Sequence, residues 1–420
     1  MSSTTQPESS KSSSSAQITR SAPSPRFTFW LVLIAIILLS ANMRSPIVAL
    51  GSIAPVVQEA LHIHEAQIGW LGAVPMLMFA VGAFISPPIG KRFGLENTLI
   101  VMLVMLTVGI IVRSWWVGWT GFLVGTVLLS FAIGFANTLA APIIKQRTPN
   151  HIALITGLFS LTMTTVAGLV AGVIYPLTTK VGWQWALGGW ASLGVLAIAV
   201  WIVLRIMLGS SHRIPQSMDT TPDDNISIWR SPLAWQLAVF MGLQSVMFYT
   251  TASFLPSIWL SKGLSQVQAG HMASVFQFMA PLAILSLTWL IQRGKSIQMV
   301  AITAAALNAI GSFGMAYLTP SVAWLWSALM GLGTSGIFTL SIMLFSLRTY
   351  TPQQASQLSG MVQTIGYMIA IFGPLGAGWL HEITGSWDLS LLLLFLLMVV
   401  NVVFSYFASR PMMIDGRPSY

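Results

Sequence analysis

Arg44 is the residue whose setting most plainly asks for chemistry. It stands in Asn42-Met43-Arg44-Ser45-Pro46, inside an apolar run from about residue 27 to 57. At 1.5 Å per residue such a run crosses a hydrocarbon layer ~30 Å thick. A guanidinium cannot shed its proton as a lysine can, and placing one at a bilayer centre costs ~2.5–3.5 kcal/mol on insertion scales. It must face water, an anion or several hydrogen-bond acceptors. Two readings compete: an arginine satisfied by helix-end carbonyls in a packed bundle, and a binding charge aimed at a solute. The polar neighbours Asn42 and Ser45 favour the second. So does Pro46, which lacks a backbone donor and frees a carbonyl one turn earlier.

Other polar side chains fall in apolar stretches at related depths. At an offset of 201 residues Met43 corresponds to Gln244 and Arg44 to Ser245, with Tyr249 about one turn further on. Gln363 and Tyr367 are spaced i, i+4 and so share a helix face; at an offset of 203 they map onto Ser160 and Thr164. Asn137 is a further buried polar candidate. Each of these groups could simply join helices, worth roughly 0.6 kcal/mol per contact in membrane bundles. Arg44, Gln244 and Tyr367 are read here as substrate-binding, with Asn42, Ser245, Tyr249, Gln363 and Asn137 as candidates beside them.

The acidic residues narrow the cargo. All ten, including Glu59, Glu96, Glu382 and Asp388, fall in tails, loops or span ends. Proton relays and counter-ions for cationic cargo use carboxylates inside the membrane, so export of cations is disfavoured. A lone fixed positive charge suits a small anion or a polar heterocycle presenting an acceptor pair. Protons remain one possible coupling ion, carried on the substrate itself as the neutral acid, and exchange is the other route. The six histidines form no H-E-x-x-H motif or comparable metal cluster; His62 and His64 read as a solvated loop pair. No phosphate-binding loop, dinucleotide fingerprint or catalytic triad is present. No cofactor, metal or enzymatic activity is expected.

The elements that must position these residues follow from composition. Of 420 residues 55% are hydrophobic and only 7% charged, against roughly 25% charged in soluble domains, so the chain is a polytopic membrane protein. The net charge of +9 is spread singly and in pairs between apolar spans, a topology signal that does not suit nucleic acid. No cysteine occurs, which excludes disulfides.

Twelve spans are expected, near 27–57, 67–90, 97–114, 119–145, 151–176, 184–209, 233–258, 268–292, 296–318, 322–347, 355–381 and 387–409. All should be helices, since these runs are twice the length of barrel strands. With both termini cytoplasmic, fifteen lysines and arginines lie inside and only Arg113, Lys180 and Lys262 outside, with Arg44 left over. That is the positive-inside arrangement. Arg113, followed by Trp115, Trp116 and Trp119, reads as interfacial.

The expected organisation is a disordered cytoplasmic tail (1–26), a six-helix half (27–209), a cytoplasmic linker (210–232), a second six-helix half (233–409) and a cytoplasmic C-terminal tail (410–420). The halves are related, with Pro55 meeting Pro256 and Arg92 meeting Arg293 at an offset of 201, and Thr148-Pro149 meeting Thr351-Pro352 at 203. A parallel repeat of six spans is the pattern of a two-half transporter with a central site.

Several segments then carry a resemblance. Asn42 to Pro46, Lys91-Arg92-Phe93-Gly94-Leu95-Glu96, Asn137 through Pro142 to Lys145, and Gly242-Leu243-Gln244-Ser245 with Phe248-Tyr249 are among them. So are Leu347-Arg348-Thr349, Leu358 to Met361 with Gln363, Gly366-Tyr367, Gly373-Pro374, and His381 with Thr384 to Trp387. Over about residues 28 to 409 the chain resembles the cyanate permease and 2-nitroimidazole transporter family of the major facilitator superfamily. Two departures stand out. Ser45 separates Arg44 from Pro46 where the family has Asn-Leu-Arg-Pro, and Lys91 stands where the superfamily loop expects an aspartate. The resemblance implies a secondary transporter in a bacterial inner membrane, a monomer by default, that takes a small anion or polar heterocycle by alternating access. Efflux of nitro-heterocycles or other drugs is the alternative, and a non-transporting sensor on the same fold a third.

Overall fold

The computed structural model describes residues 25–62, 65–116, 118–208 and 227–418. Most of the expected N-terminal tail and linker lies outside the described residues. Twelve long helices occur among those described: α1 (Pro25–Ser52), α2 (Glu65–Phe93), α3 (Leu95–Trp115), α4 (Trp119–Arg147), α5 (Ile152–Val181), α6 (Ala191–Leu208), α7 (Pro232–Ser261), α8 (Gln266–Gln292), α9 (Ile297–Tyr317), α10 (Ala323–Leu347), α11 (Pro352–Thr384) and α12 (Asp388–Ala408). Each contains a segment long and apolar enough to span a bilayer, where the backbone must satisfy its own donors and acceptors.

The first span is shorter than expected. It ends at Ser52, Ile53 leaves the helical region with φ −122°, and a separate short helix, Ala54–Leu61, begins with Pro55 in its first turn. Proline's fixed φ and missing donor suit a first turn, so Pro55 starts a new helix where the apolar pattern alone reads as a continuation.

Packing reproduces the internal repeat. In the first half α1 packs on α5, α2 and α3 both pack on α4, and α3 also packs on α6; in the second, α7 packs on α11, α8 and α9 on α10, and α9 on α12. Between halves α2 packs on α11 and α5 on α8, and α4 also packs on α11. Exchanging the halves turns the first of these pairs into the second, as a pseudo-two-fold axis requires. Glycines set the closest approaches. A Cβ on Gly134 of α4 would lie 2.4 Å from Phe79 Cα of α2, and one on Gly331 of α10 would lie 2.2 Å from the Phe276 carbonyl oxygen of α8. Small residues allow such backbone contact where lipid supplies no hydrophobic drive for association.

With twelve spans, both ends of the helical bundle lie on one face, and on this face the halves are tied together. Lys145 Nζ, at the end of α4, donates to the Ser346 carbonyl (2.7 Å), to the Thr349 carbonyl and to Thr349 Oγ1 (3.3 Å), all at the end of α10. Ser346 Oγ returns a bond to the Ala141 carbonyl, 2.9 Å. Nearby, the Arg147 guanidinium pairs with buried Glu96 in the first turn of α3. Residues 410–418 fold back beneath the second half: Met412 bridges to Pro418, the Ile414 amide donates to the Arg348 carbonyl, and Ser231 Oγ donates to the Ile414 carbonyl. Arg348 Nη2 in turn donates to the Ser409 carbonyl.

Candidate functional site

A cavity of about 520 Å³ lies between the halves, within the ~300–1,000 Å³ of small-molecule sites. Its walls come from α1, α2, α4 and α5 and from their counterparts α7, α8, α10 and α11. Along α1 the lining runs from Met43 to Gly51, and along α7 from Gln244 to Ser253. The void therefore extends from mid-span toward the face opposite the termini. A narrow recess of about 10 Å³ adjoins it, bordered by Thr164, Thr334, Ser335 and Thr339, with room for one water at most.

Arg44 borders both spaces. Among the described residues it has no hydrogen-bond or ion-pair partner. Its guanidinium carbon sits 4.4 Å from the Phe248 ring centroid and 5.4 Å from that of Phe338. Aromatic faces attract a cation, by ~0.5–2 kcal/mol when it is desolvated, yet leave the N–H fork unused. The lining contains no Asp, Glu, His or Lys, so the positive charge meets no acid there. Around it stand Gln244 and Ser245, joined by a 3.2 Å bond from Ser245 Oγ to Gln244 Oε1. Asn137, whose buried Oδ1 has no partner, is also in the wall. Tyr249 packs edge-on against Phe248 at 5.2 Å and Tyr367 tilts against Phe79 at 5.4 Å. The arrangement is an aromatic-lined cavity with one cation and several neutral hydrogen-bonding groups.

Six of the eight residues singled out from the sequence line this cavity: Arg44, Asn137, Gln244, Ser245, Tyr249 and Tyr367. Two do not. Asn42 turns away and donates its amide to the carbonyls of Leu38 (2.8 Å) and Leu193 (3.3 Å), tying α1 to α6. It lies two residues before Arg44, about 200° round the helix, and therefore on the opposite side. Gln363 shares a face with Tyr367 but lies about one turn nearer the termini, below the cavity floor, where it donates to Ser359 Oγ at 2.8 Å. Arg113 also departs from expectation. It is fully buried, not interfacial, and its Nη1 donates to the Pro46 carbonyl of α1 at 2.9 Å while Nε and Nη2 have no partner. Trp115 and Trp116 after it are exposed, but the Arg113 side chain points inward to α1.

Phe79, Phe248, Phe338 and Gln277 also line the wall and were not singled out as binding residues. For Gln277 the signal existed: an amide inside an apolar span, as at Gln244. The phenylalanines carried none, because aromatic residues also cover lipid-facing surfaces. Among the described residues no cluster of His, Asp or Glu could hold a metal ion.

The comparisons with known proteins agree with this architecture. The family model described as Major Facilitator Superfamily matches residues 30–368. An uncharacterized transporter of Bacillus subtilis, YycB, is 34% identical over 378 residues, covering 89% of this chain and 92% of its own. The 2-nitroimidazole transporter of Escherichia coli is 30% identical, covering 90% and 96%. The cyanate transport protein of Escherichia coli is 24% identical, covering 89% and 97%. Among solved structures, the proton:xylose symporter XylE superposes with a TM-score of 0.77 at 12% identity, covering 94% of this chain and 98% of its own; at that identity the likeness speaks for fold alone. Two symmetric six-helix halves around a shared cavity, and relatives spanning nearly the full length, identify the chain as a transporter of the major facilitator superfamily, in the group that holds the 2-nitroimidazole and cyanate transporters.

Proposed function

We propose that this protein is a secondary active transporter for a small anion or polar heterocycle, working by alternating access in a bacterial inner membrane with both termini cytoplasmic. Arg44 binds the negative or electron-rich edge of the solute, Gln244, Ser245 and Asn137 orient it, and Tyr249 and Tyr367 with the phenylalanines cover its faces. One observation carries this reading: Arg44 opens onto the central cavity with no counter-charge in the wall. Cargo that neutralises it gains a charge-assisted contact in a medium of low dielectric. The excess of basic residues on the termini-bearing side supports the orientation.

Flux in proteoliposomes, with the solute chosen by a thermal-shift screen of small anions and azoles, tests the assignment. Arg44→Ala is expected to abolish flux while leaving the fold intact, and Arg44→Lys to restore little, because an ammonium lacks the planar fork. A correctly inserted Arg44→Ala protein with full flux removes the proposal. The aromatic-lined cavity and the relative that transports 2-nitroimidazole also favour efflux of nitro-heterocycles as a second reading. Deleting the gene then sensitises cells to such compounds, whereas an uptake system shows a lost growth substrate.

A further inference from the structure

A second cavity, of about 460 Å³, lies at the termini-bearing face beneath the start of α7. Two segments distant in sequence meet there: the end of the linker running into the first turns of α7, and the C-terminal fold-back. Arg230, Arg410 and Arg417 line it, against one carboxylate, Asp415. Asp415 is occupied: it pairs with Arg417 at 3.2 Å and accepts from the Tyr350 hydroxyl. Arg410 reaches only neutral acceptors, the Phe407 carbonyl and Gln236 Oε1 at 3.5 Å. Arg230 is exposed.

The start of α7 adds to this positive field. Ser231 occupies its N-cap position, but the hydroxyl serves the Ile414 carbonyl and makes no cap bond to its own helix. The positive end of the helix macrodipole is left without a side-chain cap. Beside the cavity Trp229 and Trp235 stack edge to face at 6.3 Å, and Phe84 of α2 approaches Trp229 at 6.5 Å. All three are exposed, as aromatic anchors at a membrane interface are.

The geometry points to a binding site for a phosphate-bearing anion at this junction, filled by the headgroup of an acidic phospholipid of the inner leaflet. Arginines give phosphate its planar, bidentate partners, and the aromatic trio places the opening at headgroup level. Occupancy would pin the linker to the C-terminal fold-back, joining the connection between the halves to the second half. The lipid source rests on the orientation proposed above, which labelling of a Ser227→Cys protein from either side of the membrane checks separately; the chain has no cysteine of its own.

The test uses the purified full-length chain in detergent and reads its melting midpoint with added phosphatidylglycerol, phosphatidylcholine or inorganic phosphate, since a ligand of the folded state raises it. Phosphatidylglycerol is expected to raise the midpoint, phosphatidylcholine is not, and 0.5 M salt should cancel the effect. Each guanidinium removed should weaken binding about fivefold, so that Arg230→Gln/Arg410→Gln/Arg417→Gln loses the shift. Arg205→Gln, an exposed arginine at the end of α6, should keep it. Arg230→Gln alone, at an exposed position, covers the case in which the triple variant folds poorly. An equal, saturable shift with inorganic phosphate, lost in the triple variant, supports the site and assigns it to soluble phosphate compounds. A full shift in the triple variant, or an equal response to phosphatidylcholine, overturns the proposal.

Discussion

Replacing Lys145 by Met should loosen the closure of the termini-bearing face. Its ammonium holds two main-chain carbonyls and a hydroxyl at the end of α10, where the helix dipole also favours a cation. Hydrogen bonds from a charged donor contribute roughly 1.5–3 kcal/mol. This lysine is only partly buried, so water competes and ~2 kcal/mol is a reasonable sum for the set, discounted as for exposed ion pairs. At 1.4 kcal/mol per decade the ratio of open to closed forms at this face rises about thirtyfold. Spin labels on Asn150→Cys, before α5, and Gln353→Cys, in the first turn of α11, report the separation of the halves in a chain free of native cysteine. Double electron–electron resonance should show a longer distance gaining population in Lys145→Met and the parent distribution in Lys145→Arg. Thr349→Val should do little, since both carbonyls remain. A Lys145→Met distribution that superimposes on the parent would refute the clasp.

Further outcomes follow from the cavity and the packing. Tyr367→Phe keeps the ring against Phe79 and loses the hydroxyl, so KM for transport should rise about tenfold if that group bonds cargo, whereas Gln363→Ala, below the floor, should leave KM unchanged. Asn42→Ala should lower the melting midpoint and spare KM, because the amide serves Leu38 and Leu193. Gly331→Leu should abolish stable expression, as its side chain would overlap the Phe276 backbone at a cost of ~1–3 kcal/mol or more; Gly376→Ala, with nothing within 4 Å, should be silent. Because arginine stays protonated across the accessible pH range, binding of a weak acid should track the acid's own ionisation and vanish below its pKa, measured by thermal shift against pH.

Much of the fold was legible because a bilayer leaves the backbone few options, and a run of twenty apolar residues between charged loops becomes a helix whatever its detail. Less legible was which way a side chain points. Asn42 and Arg44 are two residues apart, and at 100° per residue that spacing sends them to opposite sides. In a helix apolar all round, no amphipathic pattern says which side meets protein. Gln363 and Tyr367 do share a face, and there depth decided: one turn separates the floor of the cavity from the packing beneath it. At Arg113 the neighbouring tryptophans suggest a side chain facing outward, whereas the guanidinium is buried against the Pro46 carbonyl of α1. The phenylalanines around Arg44 could not be told from lipid-facing ones without the tertiary contacts that cover them.

The duplicated halves differ where their bonding matters most. The position matching Lys145 at an offset of 203 is Arg348; the lysine reaches over to the other half, while Arg348 Nη2 donates to the Ser409 carbonyl of its own half. Two related positions thus carry different cations with different partners, an asymmetry that the packing symmetry does not demand. A single substitution at Lys145 is therefore expected to change the balance of forms at this face while leaving the residues that line the central cavity as they were.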